Sequence, residues 1–446
     1  MSSGTAKSEQ DVEAAPASRA GATSPSHPAS MRWWMLALLS GVIAGNYYAY
    51  DSIAPVADLL RTGRGLSQTQ IGLLNAVFSL PNIFLALAGG ILIDRYGPAR
   101  VSLWTAALCC LGTVLTAIGS PFGLMVVGRL LFGVGQETLL IALLAGLAQW
   151  FSAGGTAFAM AMFFSLARVG SYAADVSPRW AHSLYEHGSQ PPLWLAAAIT
   201  AVSLAAAMTY AYLDSTARRA IRGATPAPAA ERVTWSDIKK FDRSYWYILA
   251  LNVLFASVFF PFRSTFAIEY FQDAKGLTLQ AAGLVNSWVF FTAIFATPLF
   301  GFVADRVGHR ALMMMIGTLM LPLTFLILGA TNWSLWISTA LMGLSFSVVP
   351  AVIWPSTAML VEPSRLGTAY GLVNVLQNVG LAVCNMTAGW LIDAAGAGPD
   401  NPGGFDGMLW FFGLLGFVAF AFVALLWRRE LGPFARGLES AQPGRA

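Results

Sequence analysis

Long apolar runs govern what this chain can become. Stretches of about 18 residues or more, nearly free of charge, recur between residues 33 and 427, each long enough to cross roughly 30 Å of hydrocarbon as a helix. Strands in a bilayer would alternate apolar and polar residues, and these runs do not. Of the 446 residues 56% are hydrophobic and only 11% charged, too few polar side chains to cover a water-soluble body of this length. The expected spans are 33–61, 69–93, 100–119, 121–151, 156–184, 191–213, 244–271, 277–304, 310–330, 332–361, 366–394 and 405–427. The expected fold is therefore an all-α membrane protein with twelve transmembrane helices.

Basic residues orient such a chain, because positively charged loops stay cytoplasmic. With the N-terminus inside, the inner segments hold Lys7, Arg19, Arg32, Arg95, Arg100, the cluster from Arg218 to Arg243, Arg306, Arg310, Arg365, Arg428, Arg429, Arg436 and Arg445. The outer segments hold only Arg61, Arg64, Arg179 and Lys275. Both termini are thus expected in the cytoplasm, and the net charge of +4 reflects topology rather than a nucleic-acid footprint. Residues 1–30, rich in Ser, Ala and Pro, read as a disordered tail and not as a signal peptide. Cys109, Cys110 and Cys384 lie within spans and read as packing residues.

An internal repeat divides the spans. Residues 66–97 reappear as 277–308 at an offset of 211, pairing Gly72 with Gly283, Asn75 with Asn286, Gly90 with Gly301, Asp94 with Asp305, Arg95 with Arg306 and Gly97 with Gly308. Gly155-Thr156-Ala157 recurs as Gly367-Thr368-Ala369, and Gly133 as Gly343. A six-helix unit is duplicated: residues 31–213 and 244–430 form the halves, 214–243 a cytoplasmic linker with room for an amphipathic surface helix, and 431–446 a cytoplasmic tail. Parallel repeats of this kind place a solute site near the bilayer midplane, between halves that rock to expose it alternately.

Charges at bilayer depth are costly and default to paired or functional sites facing the protein interior. The fourth and fifth spans form a hairpin turning near Ser152 to Gly155, so Glu137 and Arg168 lie at similar depth, with Arg129 and Asp175 about two turns further out. That placement allows two stacked opposite-charge pairs. For Glu137 and Arg168 two readings stand: a permanent ion pair, or a site whose carboxylate takes a zwitterion's ammonium and whose guanidinium takes its carboxylate. Trp354, Gln377 and Asn378 are candidates to complete the pocket from the second half, as is Tyr50 from the first, with helix packing as the alternative for each. Asp51 and Arg263 occupy equivalent repeat positions, offset 212, and are expected to close an outer gate across the cavity; the rival pairing joins Asp51 to Arg129. Asp94 with Arg95 and Arg100, and Asp305 with Arg306, sit in turns suited to gating at the cytoplasmic face.

The pattern Gly90-x-x-x-Asp94-Arg95-x-Gly97-x-x-Arg100, its copy from Gly301 to Arg310, and Arg129-x-x-x-Gly133 resemble the signature of the major facilitator superfamily. Within it the chain looks like the lysosomal dipeptide uniporter family, on Tyr50-Asp51, Pro81-Asn82, the Glu137 and Arg168 segments, Ala211-Tyr212-Leu213-Asp214, Phe260-Pro261-Phe262, Trp354-Pro355 and the run from Leu366 to Ala382. That resemblance implies that Glu137 and Arg168 hold the two charged ends of a dipeptide. Arg263 and Glu269 depart from it, standing where uncharged residues are expected.

No Walker phosphate loop, Gly-x-Ser-x-Gly turn or clustered His/Cys ligand set is found, which disfavours an enzyme, and no cofactor is expected. The expected function is alternating-access transport of a dipeptide, with a proton-coupled organic-anion transporter and a non-transporting substrate sensor as alternatives. Partners are a small-molecule solute and the lipid bilayer, with room for an accessory membrane subunit and no nucleic acid. Abundant Ala, Gly and Arg point to a bacterial inner membrane, and the resemblance to a lysosomal membrane if the source is eukaryotic.

Overall fold

The computed structural model describes residues 29–151, 156–220, 241–362 and 365–440. Most of the expected linker and N-terminal tail lies outside these residues. Among the described residues the protein is helical, with no strand beyond one isolated bridge between Gly398 and Asn401.

The first half comprises α1 (Ala29–Asp51), a short 3-10 turn (Ala54–Val56), α2 (Ala57–Arg64), α3 (Gln68–Ser79), α4 (Asn82–Tyr96), α5 (Pro98–Ile118), α6 (Phe122–Trp150), α7 (Thr156–Asp175), α8 (Ser177–Trp180), α9 (His182–Glu186) and α10 (Gln190–Ala220). The second comprises α11 (Arg243–Pro261), a π-helical turn (Phe262–Phe266), α12 (Ala267–Asp273), α13 (Leu279–Val307), α14 (Arg310–Ala330), α15 (Leu335–Leu360), α16 (Leu366–Ala394) and α17 (Asp406–Glu430). Each expected span has a helical counterpart, with α3–α4 and α11–α12 as broken ones. By length and composition nine described segments are apolar enough to cross a membrane, or ten with α3–α4. The two helices outside that set are α1 and α7, diluted by Asn46, three tyrosines and Asp51 in one and by Arg168 and Asp175 in the other.

The repeat is visible in the packing. A Cβ on Gly133 of α6 would come 2.2 Å from the Phe78 carbonyl oxygen of α3, and one on the equivalent Gly343 of α15 would come 2.9 Å from that of Val289 on α13. Gly72 and Gly283 act between the halves: their Cβ atoms would sit 2.4 Å from the oxygen of Asn385 on α16 and 2.2 Å from that of Asp175 on α7. Only glycine lets the two backbones approach so closely. Each half keeps its own apolar core, one around Phe132, Phe163 and Tyr210, the other around Phe259, Phe262 and Phe412.

The halves meet on one side of the membrane. Hydrogen bonds between them run from the face opposite the termini, here the distal face, down to Asn82–Asn378 and Ser165–Ile294. None is found among the described residues nearer the termini. Gly90 and Gly301, repeat partners on that terminal side, face open space, and Phe84, Phe295 and Phe302 there are exposed. The molecule is sealed distally and parted toward the termini.

Replacing Gly283 with Leu should therefore prevent distal closure at a cost of about 1–3 kcal/mol, raising maleimide labelling of a cysteine placed at buried Thr265 by about tenfold or more. Gly301→Ala, with nothing nearby to strike, should leave labelling unchanged.

Candidate functional site

Arg168 projects from the middle of α7 into a box of aromatic rings. Its guanidinium carbon lies 4.9 Å from the ring centre of Tyr47 on α1, and 5.0 Å from those of Phe290 on α13 and Phe346 on α15. Rings from both halves thus hold the cation by cation–π attraction, which orients it without neutralising it. Its Nη1 has no hydrogen-bond partner among the described residues. Glu137 on α6 is half-buried, and no ion pair joins it to Arg168. Tyr47 lies within electrostatic reach of both charges. Two opposite charges therefore stand around Tyr47, neither of them in an ion pair among the described residues.

Other candidates for this pocket are placed elsewhere. Tyr50 is buried against Phe78, with ring centres 4.7 Å apart, and covers Arg129 rather than the Glu137–Arg168 pair. Trp354 follows Phe346 on α15 by eight residues, roughly 12 Å toward the termini, and packs on Tyr370. Asn378 is consumed in helix packing, accepting from Asn82 and donating to Asn374. The Gln377 oxygen accepts from Asn252 at 2.8 Å, leaving its amide nitrogen as the group with capacity to spare. Tyr47, Phe290 and Phe346 were not among the sequence candidates, because an aromatic residue at an apolar helix position reads as core. Tyr47 had one legible signal, a place one turn before Tyr50 on the same helix.

A second layer of charge lies toward the distal face. The pairing of Arg129 with Asp175 is not formed. Arg129 donates to the carbonyls of Leu74, Ala49 and Tyr50 and to the Asn75 side chain, because the end of α1 presents its last carbonyls to α6. Asp175 instead meets Arg263. Arg263 also donates to Asp51 at 2.6 Å, so the rival Asp51–Arg129 pair gives way to a bridge across the halves. All three residues are buried.

Arg263 owes its position to the π-helical turn. Pro261 lacks an amide hydrogen, and the five-residue turn after it frees main-chain oxygens from the regular helical ladder. Asn286 donates to the freed Arg263 carbonyl at 3.2 Å and Asn75 to that of Ser264 at 3.2 Å. The duplicated asparagine thus closes the turn from both halves. Beyond it, Arg61 reaches Glu269 at 2.6 Å, Asp273 at 2.7 Å and Asp58 at 3.0 Å. Asp393, at the end of α16, accepts from the amides of Gln68 and Thr69 at 2.8 and 2.7 Å. One half therefore caps a helix N-terminus of the other.

At the terminal face Asp94, Arg95, Arg100 and Arg306 form no ion pair among the described residues, whereas Arg310 is buried. Asp94 and Arg100 are exposed, Arg95 lies over Tyr96 and Arg306 over Phe302. The side chain of Asp305 lies outside the described residues.

Two helical halves packed together on one face, with Arg168 held between rings of both, have the architecture of a membrane transporter. The sequence profile of the Major Facilitator Superfamily matches residues 38–278 and 248–444, and the chain belongs to that family. The lysosomal dipeptide transporter MFSD1 of Bos taurus is 31% identical over 384 residues, covering 83% of this chain and 81% of that protein. The human MFSD1 is 29% identical over 408 residues, covering 89% and 87%. Among solved structures, a bacterial homologue of the human lysosomal transporter Spinster superposes with a TM-score of 0.70 at 15% identity, over 90% of this chain and 98% of that one.

Reversing charge at Asp51 (Asp51→Arg) or at Arg263 (Arg263→Asp) should each destabilise the purified protein by about 3–5 kcal/mol, read as lost thermal stability in detergent. The double reversal should recover most of the loss, whereas Asp51→Arg with Arg129→Asp should not.

Proposed function

We propose that this transporter carries dipeptides, holding the free ammonium end at Glu137 and the free carboxylate end at Arg168. The observation that supports this reading is the state of the two charges: opposite in sign, close in depth, and without a protein counter-ion among the described residues. Unpaired charges shielded from bulk water are expensive, and a zwitterion satisfies both at once. A guanidinium whose Nη1 has no partner among the described residues suits a carboxylate, and the Phe290 and Phe346 rings cover it without supplying a counter-charge. The MFSD1 relatives, dipeptide transporters by name, are consistent with that substrate class.

In this reading the face bearing the termini is cytoplasmic, which the excess of arginine on that side supports. The open side then faces the cytoplasm, where substrate leaves, and the Arg263 bridge is the outer gate. Asp94 with Arg95 and Arg100, and Asp305 with Arg306, close the inner face in the opposite state. The Gln377 amide nitrogen, left over once its oxygen accepts from Asn252, is assigned in this reading to a peptide group or side chain of the solute.

The test is counterflow of a labelled Lys-containing dipeptide into proteoliposomes. Free-ended dipeptides should compete. Peptides blocked at one end should compete about a hundredfold less well, since one buried charge is left unpaired. Glu137→Gln should abolish the counterflow. Equal flux in wild type and mutant would reject the clamp, and no flux with any dipeptide would direct the search to organic anions.

A further inference from the structure

We propose that the terminal-side base of α11 and α17 is a headgroup site for an anionic phospholipid, and that the bound lipid steadies a C-terminal strap which caps α14. The site is independent of the solute carried.

Its depth follows from α17. The exposed residues Trp410, Leu414, Phe417, Ala421, Leu425 and Arg428 recur every three or four positions, which puts them on one face of that helix. From Trp410 to Arg428 the stripe runs about 27 Å, close to the thickness of the hydrocarbon core. It faces lipid, with Trp410 at the distal headgroup level and Arg428 at the terminal one.

Arg428 belongs to a cluster with too few counter-charges. Arg429 pairs with Asp242 at 2.7 Å, and Arg436 reaches the same carboxylate at 3.5 Å. Arg243, next to Asp242, and Arg428 are exposed and form no ion pair among the described residues. The other carboxylate nearby, Glu430, is buried and accepts from the amides of Arg436 and Leu438 at 2.9 and 3.1 Å. Four guanidiniums therefore stand with two carboxylates. Asp242 also holds the N-cap position of α11 without a side-chain capping bond, since its carboxylate is turned to the arginines. The positive end of that helix adds to the same field, and a phosphate is the anion it fits. Beside the cluster Leu431 and Phe434 are exposed at 62% and 65%, and the Phe434 ring centre lies 5.1 Å from the Arg429 guanidinium carbon. Positive charge beside apolar side chains at the membrane surface selects a lipid over a free anion.

The strap starts from this site. Beyond Arg436, Leu438 is fully buried and its carbonyl accepts from the Arg310 amide at 2.9 Å. Glu439 accepts from the Leu312 amide at 3.0 Å and meets the His309 ring at 2.8 Å, supplying a cap that α14 lacks at its own N-cap residue. His309 has a φ of 48°, a left-handed conformation costly to a residue with a side chain, so the turn needs support from outside. The first half meets the equivalent point differently, with α5 starting at Pro98 after Gly97. A headgroup on Arg428 and Arg436 restrains the strap and keeps Glu439 on α14.

The test pairs two readouts on full-length protein. Native mass spectrometry measures retention of phosphatidylglycerol against phosphatidylcholine. Hydrogen exchange follows residues 309–312 and 434–440 in phosphatidylcholine nanodiscs with and without phosphatidylglycerol. The anionic lipid should be held about tenfold more tightly and should slow exchange in both segments several-fold. Arg243→Gln with Arg428→Gln, both exposed and outside the Asp242 pairs, should lose both effects. Arg243→Lys with Arg428→Lys should keep them. Equal retention of the two lipids by wild type, or undiminished phosphatidylglycerol retention in the Gln variant, would overturn the site. Exchange that ignores the bound lipid would overturn the link to α14. Protection reproduced by inorganic phosphate in phosphatidylcholine nanodiscs would assign the cluster to a soluble anion and reject the lipid.

Discussion

A guanidinium buried between two carboxylates of the opposite half is the interaction around which this molecule is arranged. Arg263 has no exposure, so its charge must be matched where it stands, and the match comes from Asp51 and Asp175 together. Such a bridge is poor glue on balance, because desolvating three ionised groups offsets most of their attraction. What it provides is discrimination between states. The bridge satisfies its members only when the halves are at the register set by Gly72 and Gly283, and a small displacement leaves buried charge exposed to its own field.

The layers of the interface are mechanically connected through one aromatic ring. Phe290 lies 3.8 Å from the guanidinium carbon of Arg263 and 5.0 Å from that of Arg168. It is fully buried on α13, so both cations share a single rigid surface. Separating the halves strips Arg168 of Phe290 and Phe346 while it also strips Arg263 of its carboxylates. Anything that alters the charge at Arg168 therefore acts on the same contact surface that the Arg263 bridge uses. A physical path from Arg168 to the distal bridge exists in that ring, without a longer chain of intermediates.

The sequence made the architecture legible because a membrane leaves little choice. Backbone groups in hydrocarbon must bond internally, so apolar runs become helices, and the duplicated motif announces the two halves. Glu137, Arg168, Asp51 and Arg263 stood out since charge in such runs is rare, and repeat symmetry alone made Asp51 and Arg263 candidates to face one another. The partner of Arg129 was hidden for a definite reason. Its acceptors are mostly backbone oxygens, released where α1 ends and where α3 passes, and carbonyls leave no mark in a sequence. The aromatic box was hidden for another, as Tyr47, Phe290 and Phe346 look like ordinary lipid-span residues until three helices converge.

The asparagine repeat carries the same lesson further. Asn75 and Asn286 are equivalent by descent, yet they do not make equivalent bonds across a symmetric interface. Both converge on the π-helical turn of the second half, one at Ser264 and one at Arg263. Duplication supplied two matching donors, and the break after Pro261 used both at one place. The first half has no π turn at the corresponding point; α1 instead ends at Asp51 in a turn and a 3-10 segment containing Pro55. Symmetry was thus broken where the bridge between the halves needs unlike charges, a carboxylate on one side and a guanidinium on the other, since two copies of either would repel.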